Sequence, residues 1–235
     1  MEKKTVYDEI EEGHDYKALT AGNPAQRFWQ RNKFGNVIKK VDFSKNVLDI
    51  GCGPGVLFYL ANPTGKATGL DNAGKQLGFA RKLNKNAEFL EGDAKKLPFM
   101  DKSFDYITSV EVIEHINKED TSKMLDEARR VLKDDGKIVI TTPNYNSLWP
   151  VIEFIWSKIN PIDYSNEHIN KQTFRKLESL LKEHGFKVMN RYSFFILSPF
   201  VNYISGRLAE RMHALEIRLL PRAGSIMLVE AVKDG

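Results

Sequence analysis

The sequence predicts an α/β fold, a mostly parallel sheet with helices on both faces and a ligand cradle at the carboxyl ends of its strands. Three observations carry this. Short apolar runs alternate along the chain with segments of helical period. The run Val47-Leu48-Asp49-Ile50 leads directly into a glycine-crowded turn, Gly51-Cys52-Gly53-Pro54-Gly55. Aspartates close the next two runs, Asp71 after Ala67-Thr68-Gly69-Leu70 and Asp93 after Ala87 to Gly92.

Each element has its own reason. Residues 1–22 are polar and are expected to be mobile. Asn23-Pro24 opens a helix, because proline suits the first turn. Phe28, Phe34, Val37, Ile38 and Val41 then recur at near-helical spacing. Strands are expected near 46–50, 66–71, 87–91, 104–109 and 137–142, with helices at 55–62, 73–83 and 119–132 between them. Glycines in the first turn permit backbone conformations that other residues resist and let a ligand approach closely. Thr173 to His184 reads as an amphipathic helix with Phe174, Leu177, Leu180 and Leu181 on one face, ended by Gly185. Phe186 to Tyr192 and Ser225 to Val232 supply the last two strands.

Two connections are long, about 143–171 and 193–224. Loops of that length inside a compact domain carry function as a rule. The first holds Leu148, Trp149, Val151, Ile152, Phe154, Ile155 and Trp156. The second starts a helix at Ser198-Pro199 and spaces Val201, Ile204, Leu208, Met212, Leu215 and Leu219 by three and four. Arg207, Arg211, Arg218 and Arg222 sit among them. One reading of this stripe is a helix packed on the sheet or on a second copy in a homodimer. The other is a cap, apolar and cationic, that meets a membrane surface peripherally.

Composition sets the bounds. The 235 residues, 42% hydrophobic, suit one domain with a full core. A net charge of +4 is too modest to imply a nucleic-acid partner. Cys52 is the single cysteine, so an intrachain disulfide and a cysteine-based zinc site are excluded, and a cytoplasmic setting is the default. Met1 to Glu12 lacks the apolar core of a signal peptide. No apolar run reaches the roughly 18 residues of a spanning helix.

On these residues the chain resembles the class I S-adenosylmethionine-dependent methyltransferases. The resemblance runs through Val47 to Gly55, Asp71, Gly92-Asp93-Ala94 with Leu97-Pro98-Phe99, and Phe104-Asp105-Tyr106-Ile107. It continues through Glu111-Val112-Ile113-Glu114-His115 and Leu132 to Lys137, covers 45–143 well, and extends weakly through Glu183-His184-Gly185-Phe186. It is closest to the methyltransferases of small molecules, quinones and lipids. The resemblance implies a Rossmann-like sheet of seven strands, order 3-2-1-4-5-7-6, the seventh antiparallel, in a single domain over 1–235. Residues 1–45 would form a preamble helix, 46–142 the cofactor core, and 143–171 and 193–224 a helical cap. It implies S-adenosyl-L-methionine as cofactor, held by Asp49, Gly51, Cys52, Gly53, Gly55, Asp71, Asn72, Asp93, Ala94 and Glu111. Asp71 would take the ribose, Asp93 the adenine edge and the glycine turn the amino-acid end.

The implied reaction is transfer of a methyl group to oxygen or nitrogen of a small-molecule or amphiphilic acceptor. A methyl sulfonium is already activated, so positioning supplies much of the acceleration, and a base is needed only when the acceptor must lose a proton. Candidates for that proton are His168, His115 and Glu114, because imidazole suits transfer near neutral pH. Some chemistries are disfavoured. Ser109-Val110-Glu111-Val112 stands where base-amine methylation uses Asn/Asp-Pro-Pro-aromatic, and Cys52 is misplaced for attack on a pyrimidine carbon. Thr141-Thr142-Pro143-Asn144 lacks the carboxylates of metal-dependent catechol chemistry, and no metal site is expected. Two alternatives remain: a non-catalytic regulatory protein that binds the same cofactor, and an NAD(P)-dependent oxidoreductase. The second fits poorly, since its fingerprint wants glycine or alanine where Val56 stands.

Overall fold

The computed structural model describes residues 11–159 and 168–234, with backbone alone over 155–159. The strands are β1 (Val47–Ile50), β2 (Ala67–Asp71), β3 (Glu88–Glu91), β4 (Phe104–Val110), β5 (Leu132–Pro143), β6 (Phe186–Phe194) and β7 (Ile226–Lys233). The described helices are α1 (His14–Thr20), α2 (Pro24–Ile38), α3 (Val56–Ala61), α4 (Gly74–Leu83), α5 (Lys118–Val131), α6 (Trp149–Ile159), α7 (Phe174–Glu183), α8 (Ser198–Val201) and α9 (Gly206–Leu219). The sheet order is β3-β2-β1-β4-β5-β7-β6. All pairs are parallel except those of β7 with β5 and β6. This is the expected Rossmann-like sheet.

Side chains alternate across the strands, so neighbouring residues feed opposite cores. Val47 and Val139 join Phe34, Val37, Phe58 and Leu77 from α2, α3 and α4 on one face. Leu48, Ile50, Ile107 and Ile138 join Met124, Leu125, Leu177 and Leu181 from α5 and α7 on the other. β1 is buried along its whole length, which is why it reads as a continuous apolar run. The start of α2 is fixed by a capping box: Asn23 Oδ1 accepts from Gln26 N–H, and Gln26 Oε1 accepts from Asn23 N–H, each at 2.9 Å.

The structure differs most from expectation at two places. Within the residues expected to be mobile, 14–20 form α1. Leu19 is buried there, Tyr16 packs edge-on to Tyr59 at 5.2 Å, and Gly13 donates to Gln76 Oε1 at 3.1 Å. A seven-residue helix depends on such packing, because isolated short helices are marginal in water. Residues 1–10 lie outside the described residues.

The second difference is larger. The helix expected from Ser198 breaks into α8 and α9, and the face that turns inward is the polar one. Ala209, His213 and Glu216 are buried, while Ile204 (83% exposed), Leu208, Leu215 and Leu219 face outward. Period alone assigns the apolar stripe to the core. Here hydrogen bonds decide instead. Glu216 accepts from Leu197 N–H at 2.6 Å, Ser198 N–H at 2.9 Å and Ser198 Oγ at 2.7 Å, satisfying the free start of α8. His213 Nε2 lies 3.1 Å from Asn36 Nδ2 on α2.

Candidate active site

The carboxyl ends of the central strands open on one cleft of about 1530 Å³. Its floor is the turn after β1. Gly51 and Gly53 both adopt left-handed backbone, with φ of 73° and 48°. A Cβ on Gly51 would stand 2.3 Å from Val112 Cγ2, so only glycine fits. A Cβ on Gly53 would meet no atom within 4 Å, and the turn therefore leaves open space where it lines the cleft. Gly55, expected in the cradle, lies behind it as the N-cap of α3.

Asp71 ties the turn to the end of β2. Its carboxylate accepts from Gly53 N–H and Ala73 N–H, both at 2.8 Å. Burial raises its pKa against these bonds. Asp49 is buried more deeply. Burial pushes it up to about 7, opposed by the bond from Thr108 Oγ1 at 2.7 Å and helped by the nearby Asp71 charge. Asn72, Asp93 and Ala94 line the same cleft. Asp93 Oδ1 accepts from Lys95 N–H at 2.9 Å. The Cys52 thiol is buried, and burial raises its pKa, so it holds its proton at neutral pH and is unsuited to attack.

Asp49 gives a stability prediction. The folded state keeps its proton up to about pH 7, whereas the unfolded chain loses it near pH 4. Between those values the folded state binds more protons, so stability falls as pH rises. Asp49→Asn, which retains the acceptor for Thr108, should melt above the wild type at pH 8 and level with it at pH 4. A variant that melts no higher at pH 8 would show that the buried carboxyl costs nothing.

The far side of the cleft is polar. Glu111 follows β4 with φ of 55°, a backbone state uncommon for glutamate and found most often at functional sites. Its Oε2 accepts from the buried Lys33 Nζ at 2.8 Å. Burial opposes the Lys33 charge, but Asp15 and Glu111 together hold its pKa above the ordinary value. Glu114 is fully buried, and Thr142 Oγ1 donates to its Oε2 at 2.9 Å. Burial and then the Glu111 charge push Glu114 up to about 8, so it carries a proton at neutral pH.

His115 and His168 come together there, their rings 4.8 Å apart. The segment after His168 is stapled beside His115: Asn170 donates its N–H to Glu114 O at 3.1 Å and its Nδ2 to Ile113 O at 3.1 Å. His168 Nδ1 pairs with Glu153 of α6 and lies 2.8 Å from the Tyr145 hydroxyl, which donates to Glu153 Oε1 at 2.7 Å. A run of rings continues outward. Trp149 stands 6.3 Å from His168, Trp29 5.9 Å from Trp149, and Phe195 stacks on Trp29 at 4.2 Å. The cleft ends at the exposed Phe200 and Tyr203.

One juxtaposition is new. The sequence shows no ligand cluster, yet Glu114, His115 and His168 each offer a ligand atom within 4.8 Å of the others. Lys33, Tyr145, Glu153 and Phe195 were not foreseen. Two of them leave a trace in the sequence: Lys33 interrupts the apolar stripe of α2, and Glu153 interrupts Val151-Ile152-Glu153-Phe154. The Ile155 and Trp156 side chains lie outside the described residues.

A family model described as a methyltransferase domain matches residues 48–140. The demethylmenaquinone methyltransferase of Thermotoga maritima is 33% identical over 212 residues, spanning 81% of this chain and 90% of that protein. The ubiquinone biosynthesis O-methyltransferase of Yersinia enterocolitica is 30% identical over 142 residues, 57% of this chain and 54% of that one. Among solved structures, the PH0226 protein of Pyrococcus horikoshii superposes with a TM-score of 0.68 at 21% identity, covering 98% and 100% of the two chains. That likeness speaks for the fold alone. The relatives, the matched domain and the sheet order set the oxidoreductase and regulatory readings aside. The chain belongs to the class I S-adenosylmethionine-dependent methyltransferases, in the branch that also holds the quinone methyltransferases.

Proposed function

We propose that this enzyme methylates a hydroxyl of an aromatic, amphiphilic acceptor, quinone-like or lipid-like, with S-adenosylmethionine as donor. The run of rings from His115 to Phe195 carries the reading. It joins a pair of imidazoles at the inner end to an apolar surface at the outer end. A ring acceptor fits between such walls, and its hydroxyl would meet the imidazoles. The Thermotoga relative, by its name, methylates a quinone precursor, and the Yersinia relative is named for O-methylation.

When bound, S-adenosylmethionine supplies a methyl group already activated on sulfonium. The chain's residues do the rest. The open space at Gly53 and the turn would receive the amino-acid end, with Asp49 as the acidic neighbour of its positive charges. Asp71 keeps lone pairs for ribose hydroxyls beyond those used by Gly53 and Ala73. Asn72, Asp93 and Ala94 would border the adenine. Glu111, held by Lys33, would stand between cofactor and acceptor. His168, oriented by Glu153, and His115 beside Glu114 would manage the acceptor's proton. The chain would act as one domain, 1–235, with 143–171 and 193–224 as its cap.

The cap also suits a membrane surface as the source of the acceptor. Among the described residues no helix is long and apolar enough to span a bilayer. α8 and α9 instead expose Phe200, Tyr203, Ile204, Leu208, Leu215 and Leu219 beside the exposed Arg207, Arg211, Arg218 and Arg222. Apolar side chains with arginines at their rim fit an anionic interface. Anionic vesicles should therefore co-sediment the chain, less at high salt and less after Arg207→Glu plus Arg211→Glu. A chain that ignores vesicles and forms a dimer broken by the same changes would contradict the reading.

A further inference from the structure

We infer that Glu114, His115 and His168 form a binding site for one divalent transition-metal cation, placed to hold the acceptor's hydroxyl. Three independent observations support it. The ligand atoms of these residues lie within 4.8 Å of one another in the wall of the cleft. Around one zinc ion, with Zn–N near 2.0–2.1 Å, they would stand roughly 3.3 Å apart, so a closure of up to about 1.5 Å seats the ion. Glu114 Oε1 is buried and accepts no hydrogen bond among the described residues, while its partner oxygen is fixed by Thr142. This orphaned carboxyl oxygen, 3.9 Å from an imidazole nitrogen, is placed to ligate an ion, whose binding would displace the Glu114 proton.

The third observation is the orientation of His168. Its Nδ1 is taken by Glu153, itself held by the Tyr145 hydroxyl. A carboxylate on one imidazole nitrogen is the usual means of aiming the other at a metal. Two imidazoles and one carboxylate suit Zn²⁺ or Mn²⁺ better than the oxygen-seeking Mg²⁺. Three protein ligands leave a position open, as in catalytic rather than structural sites.

The role assigned to the ion rests on the hydroxyl-acceptor reading above; its presence does not. In the loaded enzyme Glu114, His115 and His168 would hold the cation, leaving its open position to the acceptor oxygen. The cation would weaken the O–H bond as a Lewis acid, and the proton would leave to water. The freed oxygen pair forms the O–CH₃ bond while the S–CH₃ bond breaks and its pair stays on sulfur, leaving the neutral thioether.

The test uses the full chain, dialysed against EDTA and then freed of chelator. Calorimetric titration with ZnCl₂ or MnCl₂ should find one strong site per chain and a raised melting temperature. His115→Ala and His168→Ala should each weaken binding at least about tenfold, and Glu153→Gln by about 10- to 100-fold, with S-adenosylmethionine affinity retained. No binding by the wild type, or equal binding by His115→Ala plus His168→Ala, would overturn the site. Full methyl transfer by the chelated chain, with no cation bound, would overturn the role assigned to the ion and leave the function standing. Cation binding without transfer to any hydroxyl acceptor would do the reverse.

Discussion

His168→Ala should lower methyl transfer by about 100-fold or more, within the range seen when a proton-handling group is lost. The imidazole is buried, fixed on one side by Glu153 and Tyr145, and set beside His115 at the inner end of the ring wall. Whether it takes the hydroxyl's proton itself or helps hold a cation that weakens the O–H bond, removing it makes the acceptor harder to deprotonate. S-adenosylmethionine affinity should stay near wild type, because the bonds that fix the glycine turn run to Asp71 while His168 bonds to Glu153 and Tyr145. Steady-state kinetics alongside calorimetry checks both halves. If His168→Ala and His115→Ala each keep full turnover, neither manages the proton, and positioning alone drives the reaction.

Asp71→Ala should weaken S-adenosylmethionine by about 1–3 kcal/mol, or roughly 5- to 150-fold, the range for a hydrogen bond to a charged group. Two losses add. The ribose hydroxyls lose their acceptor, and the N–H groups of Gly53 and Ala73 lose the carboxylate that fixes the turn. Asp71→Asn separates the two, since its single carbonyl oxygen can serve only part of the network. It should fall between alanine and wild type. Calorimetric titration at pH 8, with NAD as a control that should not bind, measures the effect. Unchanged affinity in Asp71→Ala would remove Asp71 from the cofactor site.

The first half of the sheet was legible because each strand is short and closed by a glycine or an acid: Gly51 after β1, Asp71 ending β2, Gly92 after β3 and Glu111 after β4. Val47 to Gly55 shows strand, turn and cradle within nine residues, and Asp71 sits where strand alternation must place it. Both cues are local. The inner wall of the site was less legible. His115 and His168 stood out singly, but their meeting depends on Asn170 docking onto the loop after β4, some 50 residues away in sequence. Glu153 and Lys33 look like interruptions of apolar stripes until the fold shows their partners. α9 is the sharpest case. Its stripe of Leu208, Leu215 and Leu219 obeys helical period, yet the face bearing His213 and Glu216 turns inward because α8 and Asn36 offer that face hydrogen bonds. Periodicity reports that a helix has two faces. It does not report which one the rest of the chain can satisfy.

The acceptor class is decided by supplying labelled S-adenosylmethionine and the purified enzyme to a cell extract, then separating protein, RNA, lipid and polar metabolites. Label should enter the lipid-soluble fraction as an alkali-stable methyl ether, and His168→Ala should abolish it. Label confined to protein, RNA or polar metabolites would contradict the proposed amphiphilic hydroxyl acceptor.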